Sequence, residues 1–484
     1  MATGTVPHDM KIAKVIPIFK SGNQYIFNNY RPISILPAFS KILEKVISTK
    51  LIKYLECQKL LYEHQYGFRP QHSTIQPVIH LLNNIAAEND KPSKKLTLSV
   101  FIDLSKAFDT ISHEILLAKL NNLGIRGVAN LWFKNYLTNR NQFMDIYNIR
   151  STMELLTCAV PQGSILGPIL FLIYVNDINN SNNMHVLSFA DDTTVSLSSN
   201  NIPQLYENMN IELERLNNWF KANRLCLNVK KTKFILFKPQ GGNIANYNGN
   251  IILNGENVDQ ISNHSNEKSF KFLGIHIDES LSWKHHINKV TKKISSANYI
   301  INKVKNILPK SSLRNLYSSL IHSHINYGLP IWGSARNLNS VFKLQKRSIR
   351  IINAKPYKYH TEPLFKSSQI LKVKDQYHVN SLIFMHKLMY HKLPRSFDCL
   401  DYFKPGDKPL TRQSDLAQCT KPRTTFSSLL PYHQFPRIWN ELDAGTRNMT
   451  SLSQFKNTVK KLLTDKYESI IFCDNMFCKQ CYPA

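Results

Sequence analysis

Runs of apolar residues predict the main strands of the chain before any chemistry is considered. Leu96 to Leu104 is apolar and rich in β-branched residues, which favours a buried strand. His185 to Leu197 is also strand-like, but Asp191 and Asp192 interrupt it with two adjacent carboxylates. Taken alone, this pair indicates a hairpin turn, because Asp tolerates the backbone conformations that tight turns require.

Helical periodicity appears between and after these strands. One helix is predicted between Ser112 as its N-cap and Gly124 as its stop, a second begins near Pro168, and a third covers Leu205 to Phe220. Farther along, spacings of three and four residues predict an amphipathic helix packed on a core. Its apolar stripe consists of Ile287, Val290, Ile294, Ala297, Ile301, Val304 and Leu308. The mixture of strands and helices predicts an α+β fold.

Three of these segments carry polar residues suited to metal and nucleotide chemistry. Asp103 lies at the end of the first strand, Gln162-Gly163 precede a helix, and Asp191-Asp192 occupy the hairpin turn. Each feature alone is more often structural, as a cap or a plain turn. In this order they match the palm of a template-directed polymerase, where carboxylates on neighbouring strands hold two Mg²⁺ ions about 3.5–4 Å apart.

The distribution of charged residues along the chain predicts a binding partner. The 484 residues include 61 Lys or Arg and 33 Asp or Glu, a formal net charge of +28, and residues 281–360 contain 15 of the bases and no acid. A solvated helix normally mixes both signs, so this segment predicts binding to nucleic acid. The candidate contacts are Lys289, Lys292, Lys293 and Lys303. The shift in charge predicts a boundary near 280, and Lys355-Pro356 a weaker one near 355.

Targeting signals are not visible in the sequence. Residues 1–20 have no apolar core of a signal peptide. The longest apolar run, Ile165 to Val175, is shorter than the roughly 18 residues that a membrane span needs. Eight scattered cysteines favour a reducing compartment. We therefore expect an intracellular protein without a membrane partner, in the nucleus or in cytoplasmic ribonucleoprotein.

The chain resembles the reverse transcriptases of non-LTR (LINE-like) retrotransposons, the jockey type in particular. The motifs that carry the resemblance are IPIFKSG (16–22), NYRPISILPAFSKILEKVI (29–47), QYGFRPQHST (65–74), FIDLSKAFDTISHEIL (101–116), PQGSILGPILF (161–171), FADD (189–192), WFKANRLCLNVKKTKFILF (219–237) and FKFLGIHID (270–278). The resemblance implies a right-hand polymerase with fingers and an antiparallel palm sheet over 1–280. It further implies a basic helical thumb over 281–355 and a mostly helical C-terminal region of uncertain function over 356–484.

The same resemblance implies an activity and its cofactors. The activity is RNA-directed DNA synthesis on an RNA template from a DNA primer, through an RNA–DNA hybrid, with deoxynucleoside triphosphates and two Mg²⁺ ions that Mn²⁺ can replace. Asp103, Asp191 and Asp192 match the metal-binding carboxylates, and Phe108 matches the residue beneath the incoming sugar, whose ring excludes a ribose 2′-hydroxyl. The other matched nucleotide-binding residues are Lys20, Arg31, Gln162, Gly163 and Lys231.

The sequence is also compatible with functions other than DNA synthesis. A catalytically inactive or domesticated nucleic-acid-binding remnant of such an element is the principal alternative. A group II intron maturase is disfavoured by the FADD turn and by the lack of a recognisable His-Asn-His nuclease motif. Complete elements are expected to carry an endonuclease ahead of the polymerase, so we expect a truncated copy. Cys473, Cys478 and Cys481 have zinc-like spacing without an obvious fourth ligand.

Overall fold

The computed structural model describes residues 4–238, 247, 249–398, 400, 402 and 416–467. The chain forms two compact units, each built from separate segments. The first unit comprises Met1–Pro77, Leu98–Phe234 and Asn246–Gln260. The second comprises Val78–Thr97, Ile235–Ala245 and Ile261–Ala484. The boundaries predicted near 280 and 355 separate functional regions, which the division into compact units does not test, so they stay predictions.

Strands and helices are interspersed along the chain, so the predicted α+β class is confirmed. The strands are β1 Ile12–Phe19, β2 Tyr30–Ile35, β3 Leu96–Ile102, β4 Leu104–Ser105, β5 Arg140–Ile146, β6 Ile149–Arg150, β7 Glu154–Leu156, β8 His185–Phe189, β9 Asp192–Ser199, β10 Cys226–Leu227, β11 Lys233–Phe237, β12 Ile252–Leu253, β13 Glu256–Asn257, β14 Asp259–Gln260, β15 Phe270–Phe272 and β16 Ile275–Ile277. The helices are α1 Ala38–Cys57, α2 Ile75–Asp90, α3 His113–Asn122, α4 Gly127–Leu137, α5 Gly167–Tyr174, α6 Ile202–Ala222, α7 Lys284–Val304, α8 Lys310–Tyr317, α9 Ser323–Asn326, α10 Leu329–Trp332, α11 Asn339–Ile352, α12 Glu362–Ser368, α13 Val373–Met389, α14 Thr425–Ser428, α15 Pro431–Asn440, α16 Ala444–Arg447 and α17 Leu452–Asp465.

The sheet that carries the candidate carboxylates has five strands in the order β14-β11-β3-β9-β8. Strand β3 is buried from its second residue to its last, as a strand covered on both faces should be. Strands β8 and β9 are antiparallel, with Val186 opposite Val195. Strands β11 and β14 are parallel, however, so the prediction of an antiparallel sheet is wrong for this pair. A parallel pair needs a crossover connection, and the segment with the β12–β13 hairpin supplies it.

A second sheet, in the order β2-β1-β5-β6 with β7 on β5, lies near the start of the chain. Strands β1 and β2 form an antiparallel hairpin in which Ile18 is opposite Arg31. Pro32 is tolerated in β2 because this strand lies at the edge of the sheet. The hairpin therefore carries Arg31 on one strand and Lys20 just after the other.

Helices of the first unit follow their predicted positions. Helix α3 begins after Ser112, although the Ser112 side chain makes no capping hydrogen bond, and Gly124 follows its end with a φ of 87°. Helix α6 covers the predicted segment and is capped by the Asn201 side chain, which accepts a hydrogen bond from the N–H of Gln204. Helix α6 packs against β9 of the five-stranded sheet, whereas α3 packs against α4 and α5.

In the second unit, α7 confirms the predicted amphipathic helix. Its stripe is buried from Ile287 to Ile301, whereas Leu308 lies beyond the helix end at Val304. The buried carboxylate of Asp278 accepts hydrogen bonds from the backbone N–H groups of Ser280, Ser282 and Trp283 just before the helix. Helix α7 packs against α11. Among the described residues, none of the helices is both long and apolar enough to span a bilayer.

Candidate active site

The two adjacent carboxylates occupy a tight turn between β8 and β9. Phe189 pairs with Asp192, which leaves Ala190 and Asp191 as the turn residues. Ala190 has a φ of 56°, in the left-handed region that two-residue hairpin turns use. The predicted hairpin is therefore confirmed, with the carboxylates at its tip.

A separate segment, residues 64–67, holds this turn. Backbone hydrogen bonds join the segment to Ser188 on β8. The side-chain oxygen Oε1 of Gln65 accepts hydrogen bonds from the N–H groups of Gly67 and Ala190, both at 2.9 Å. A Cβ on Gly67 would lie 2.4 Å from the backbone nitrogen of Ala190. Only glycine permits this approach of two backbones, so Gly67 positions the turn.

Asp103 lies directly after β3 and is held by a turn near residue 230. The N–H of Asp103 donates to Oγ1 of Thr232 at 3.3 Å, and its carbonyl accepts from the N–H of Asn228 at 2.8 Å. The Nζ of Lys231 lies 3.9 Å from a carboxylate oxygen of Asp103. Both side chains are partly exposed, so this pair contributes little to stability. The turn instead places a cation beside the carboxylate.

The three carboxylates influence one another. Burial raises the pKa of Asp191, and the charge of Asp103 adds to this; the backbone N–H of Asp191 and the charges of Arg31 and Lys20 partly oppose it. Burial, followed by the charges of Asp191 and Asp103, raises the pKa of Asp192 to about 6. The charges of Asp191 and Asp103 therefore repel the ionised form of Asp192, which keeps an exposed surface. A bound cation would remove this repulsion.

Phe108, five residues after Asp103, is held by contacts of its ring and its backbone. Its half-buried ring lies 4.8 Å from the ring of Phe171 in the buried helix α5, and the planes are inclined by 32°. Its carbonyl accepts a hydrogen bond from the N–H of Val160 at 3.2 Å. Contacts from both ring and backbone hold Phe108 in place, as a steric wall requires.

Gln162 and Gly163 lie against strand β2. The N–H of Ser34 donates to the carbonyl of Gln162 at 2.7 Å, and Nε2 of Gln162 donates to a carboxylate oxygen of Asp109 at 3.4 Å. Gly163 has a φ of 124°, and a Cβ there would lie 2.4 Å from the carbonyl oxygen of Ser34. Gln162, Ser34 and Asp109 line a cavity of about 220 Å³. Burial raises the pKa of Asp109, and the charge of Lys106 lowers it in part.

Lys20 and Arg31 lie at the end of the β1–β2 hairpin where residues 20–29 connect the two strands. The N–H of Lys20 donates to the carbonyl of Asn29 at 2.8 Å, which extends the hairpin by one pair. Both charged residues are exposed, and both charges lower the pKa of Asp191. The hairpin therefore brings two cations to the carboxylate turn from a different sheet.

The lysines of α7 form a separate surface in the second unit. Lys289, Lys292, Lys293 and Lys303 are all exposed. The Nζ of Lys289 lies 3.1 Å from Nε2 of His276. Burial, followed mainly by the charges of nearby lysines, lowers the pKa of His276 to about 4. Cations are thus concentrated on this surface, which suits a polyanion.

Comparison with known families identifies the chain. A family model described as reverse transcriptase (RNA-dependent DNA polymerase) matches residues 18–277, more than half of the sequence. The chain belongs to this family.

The relatives of this reverse transcriptase chain are retrotransposon proteins. It is 26% identical over 403 residues to "RNA-directed DNA polymerase from mobile element jockey" of Drosophila melanogaster, covering 80% of this chain and 42% of that protein. It is 28% identical over 400 residues to "Probable RNA-directed DNA polymerase from transposon BS" of the same species, covering 80% and 43%. The chain thus spans about two-fifths of the length of these relatives. The resemblance to non-LTR, jockey-type elements is confirmed.

Among solved structures, an apo telomerase from Candida tropicalis truncated from its C-terminal domain matches 57% of this chain and 54% of that chain. The TM-score is 0.38 and the sequence identity is 10%.

The donor set at the turn fits the divalent metal ions that reverse transcriptases use. Asp103, Asp191 and Asp192 offer hard carboxylate oxygens, which Mg²⁺ and similar ions prefer. A cation would neutralise their mutual repulsion, which together with burial raises the pKa of Asp192. The residues present therefore fit a metal site.

Sequence reasoning missed the residues that support these groups. Gln65 and Gly67 hold the turn, Thr232 holds Asp103, and Asp109 holds Gln162. All four lie inside motifs that carried the family resemblance, but no local pattern shows which partner each would contact. Cys473, Cys478 and Cys481 lie outside the described residues, so their predicted zinc site stays a prediction.

Proposed function

We propose that this chain is an RNA-directed DNA polymerase, which adds deoxynucleotides to a primer 3′-hydroxyl on an RNA template. The observation that carries the proposal is the group of three mutually repelling carboxylates, Asp103, Asp191 and Asp192, on neighbouring strands of one sheet. Membership of the reverse transcriptase family supports it.

The proposed architecture is that of a right hand. Residues 1–280 would form the fingers and palm, residues 281–355 the thumb, and residues 356–484 a C-terminal region. The five-stranded sheet with its carboxylate turn suits a palm, and the β1–β2 hairpin with its two cations suits fingers. Helices α7 to α11, without an acid between 281 and 360, suit a thumb that grips a duplex.

Asp103, Asp191 and Asp192 would hold two Mg²⁺ ions, which Mn²⁺ can replace. When bound, such ions activate the primer 3′-hydroxyl and stabilise the leaving pyrophosphate. The chain itself sets the positions of the ligands, because Gln65 and Gly67 fix the turn and Thr232 fixes the end of β3.

The triphosphate of the incoming nucleotide is assigned to cationic side chains. Lys20 and Arg31 would bind the triphosphate, because fixed cations form strong, charge-assisted hydrogen bonds with phosphate oxygens. Lys231 adds a third cation 3.9 Å from the Asp103 carboxylate.

Phe108 would select deoxynucleotides. Its ring packs against Phe171, which supports it as a steric barrier to a ribose 2′-hydroxyl. Gln162 and Gly163 would lie beside the nascent base pair, where the absence of a side chain on Gly163 permits close approach.

The proposed partners are an RNA template, a DNA primer, their RNA–DNA hybrid and deoxynucleoside triphosphates. The exposed lysines of α7 would contact phosphates of the duplex, which provide most of the sequence-independent affinity. We propose that the chain acts inside the cell, in the nucleus and in ribonucleoprotein.

Primer extension on an RNA template with Mg²⁺ tests the proposal. The parent chain should extend the primer, whereas Asp103→Asn and Asp191→Asn should abolish extension with little change in the Kd for duplex, because these groups neutralise ions and do not hold the backbone. Asp259→Asn is a matched control, since this exposed residue lies at the edge of the same sheet.

Two outcomes would contradict the proposal. Substantial extension by either active-site variant would show that the carboxylates are not the metal ligands. A parent chain that binds duplex without extending it would be a non-catalytic nucleic-acid-binding protein.

A further inference from the structure

A cavity of about 630 Å³ lies entirely within the second unit. Its volume falls in the roughly 300–1,000 Å³ range of small-molecule sites. One wall is formed by α17, and the other by α8 with the π-helical turn Ser318–His322 that continues it. Gln376 and the residues 369–371 complete the lining. We call this cavity the α17 cleft.

The polar face of α17 forms one wall of the cleft. Phe455 and Val459 on the opposite face are buried in the core. The cleft residues recur at helical spacing, namely Asn457, Lys460, Lys461 and Thr464. The polar face of a surface helix normally meets open solvent. Here it faces a concave space, so the two lysines are directed at a volume that a ligand can fill.

Arg314, Ser318 and His322 form the facing wall at intervals of four residues. The Nη2 of Arg314 donates a hydrogen bond to the carbonyl of Ser368 at 2.8 Å, which orients the guanidinium. The rings of Tyr317 and His322 lie 6.3 Å apart and are inclined by 32°. A π-helical turn inside a helix frequently marks a functional site. The facing wall therefore combines an oriented cation with the half-buried ring of His322, which lies beside the buried Tyr317.

The positive charge of the cleft is poorly compensated. Asp465 is the acidic residue of the lining, and it is exposed. Within the described part of the chain, no carboxylate oxygen lies within 4.0 Å of the Nζ of Lys460 or Lys461. Burial, followed by the charge of Lys456, lowers the pKa of Lys460. A bound anion would compensate the positive charge of the cleft and would favour the charged form of Lys460.

We propose that the α17 cleft binds a nucleotide through its phosphate, with Arg314, Lys460 and Lys461 as the phosphate-binding residues. Phosphate oxygens accept the charge-assisted hydrogen bonds that these side chains donate. The exposed amide of Asn457 and the half-buried side chain of Ile370 are suited to the sugar and base. A free nucleotide and a phosphodiester of a nucleic-acid strand share this chemistry. The inference does not depend on the polymerase site, because no cleft residue belongs to it.

The test measures binding to the full chain in EDTA, with two fluorescent probes. One is adenosine 5′-monophosphate and the other is a short single-stranded oligoadenylate. The variant Lys460→Gln/Lys461→Gln should weaken binding about tenfold or more, as expected when charged hydrogen bonds are lost. With the oligoadenylate, each lost phosphate contact should also lower the log–log salt slope by about 0.7. The matched control is Lys456→Gln/Lys466→Gln, which removes the same charge outside the cleft.

Each outcome has a defined meaning. Weaker binding of both probes supports a nucleotide site, and weaker binding of the oligoadenylate alone identifies a strand phosphodiester as the ligand. Unchanged binding of both probes, or an equal loss in the control, overturns the proposal. If the double variant fails a melting control, Lys461→Gln alone decides, because Lys461 is exposed. Retained primer extension in the cleft variants separates this result from a failure of the polymerase proposal.

Discussion

Replacing Gly67 by alanine tests how the carboxylate turn is held. The added Cβ would lie 2.4 Å from the backbone nitrogen of Ala190 and 3.0 Å from its Cα. Neither atom belongs to a side chain that can rotate away. Since non-bonded heavy atoms need about 3.5 Å, the two backbone segments must separate by about 1 Å.

This separation reaches the metal ligands directly. It lengthens the 2.9 Å hydrogen bond between Gln65 and Ala190 and moves Asp191, the next residue in the turn. A displacement of about 1 Å in a catalytic group lowers the rate about 100-fold. That corresponds to about 2.7 kcal/mol in activation free energy. The Kd for primer–template should stay unchanged, because the segment positions a turn and contributes no cation.

Single-turnover primer extension with saturating deoxynucleotides measures this loss. Gly445→Ala is the control, since the added Cβ meets a single atom, Oδ1 of Asp443, at 3.2 Å and approaches no backbone atom. Gln65→Ala removes the hydrogen-bond acceptor without crowding and should also slow extension. A Gly67→Ala chain that extends at the parental rate would refute the assignment of residues 64–67 as the support of the turn.

Phe108→Val should admit ribonucleotides in primer extension, because it removes the ring that rests on Phe171; unchanged rejection would make Phe108 a packing residue only. Glutamine at Lys289, Lys292, Lys293 and Lys303 should lower the salt slope of duplex binding by roughly 0.7–0.9 per lost phosphate contact, and an unchanged slope would remove α7 from the interface. The pKa of Asp192 is raised to about 6 from 3.8, so the folded, metal-free chain binds this proton more tightly than the unfolded chain does. The stabilisation from this proton should therefore be lost, and the melting temperature should fall, as pH rises from about 4 to about 6. Asp192→Asn should abolish this part of the fall in melting temperature. Identical pH dependence in parent and variant would contradict the raised pKa.

The sequence by itself determined the elements whose signals are local. Strand β3 coincides with a mainly apolar run, the β8–β9 hairpin with two strand-like segments around an Asp pair, and α7 with an apolar stripe of helical period. These patterns are readable because the side-chain period of a helix or strand is a property of the backbone alone. The family motifs, each a short run of residues, likewise identified Asp103, Asp191 and Asp192 as the candidate ligands.

The tertiary structure alone decided which residues support those ligands. Thr232 lies 129 positions from Asp103 and Gln65 lies 125 positions from Ala190, so no local period relates them. The same holds for a buried cluster in the second unit, where Nε2 of His433 lies 2.6 Å from a carboxylate oxygen of Asp90.

The relative direction of paired strands and the position of cavities also depend on the path of the chain between distant segments. Strand β14 joined β11 in parallel because of the connection between them, which the apolar pattern of neither strand encodes. The α17 cleft exists because the polar faces of α8 and α17, about 150 residues apart in the chain, line one space. A helix pattern shows which face is polar, but only packing determines whether that face meets solvent or a cavity.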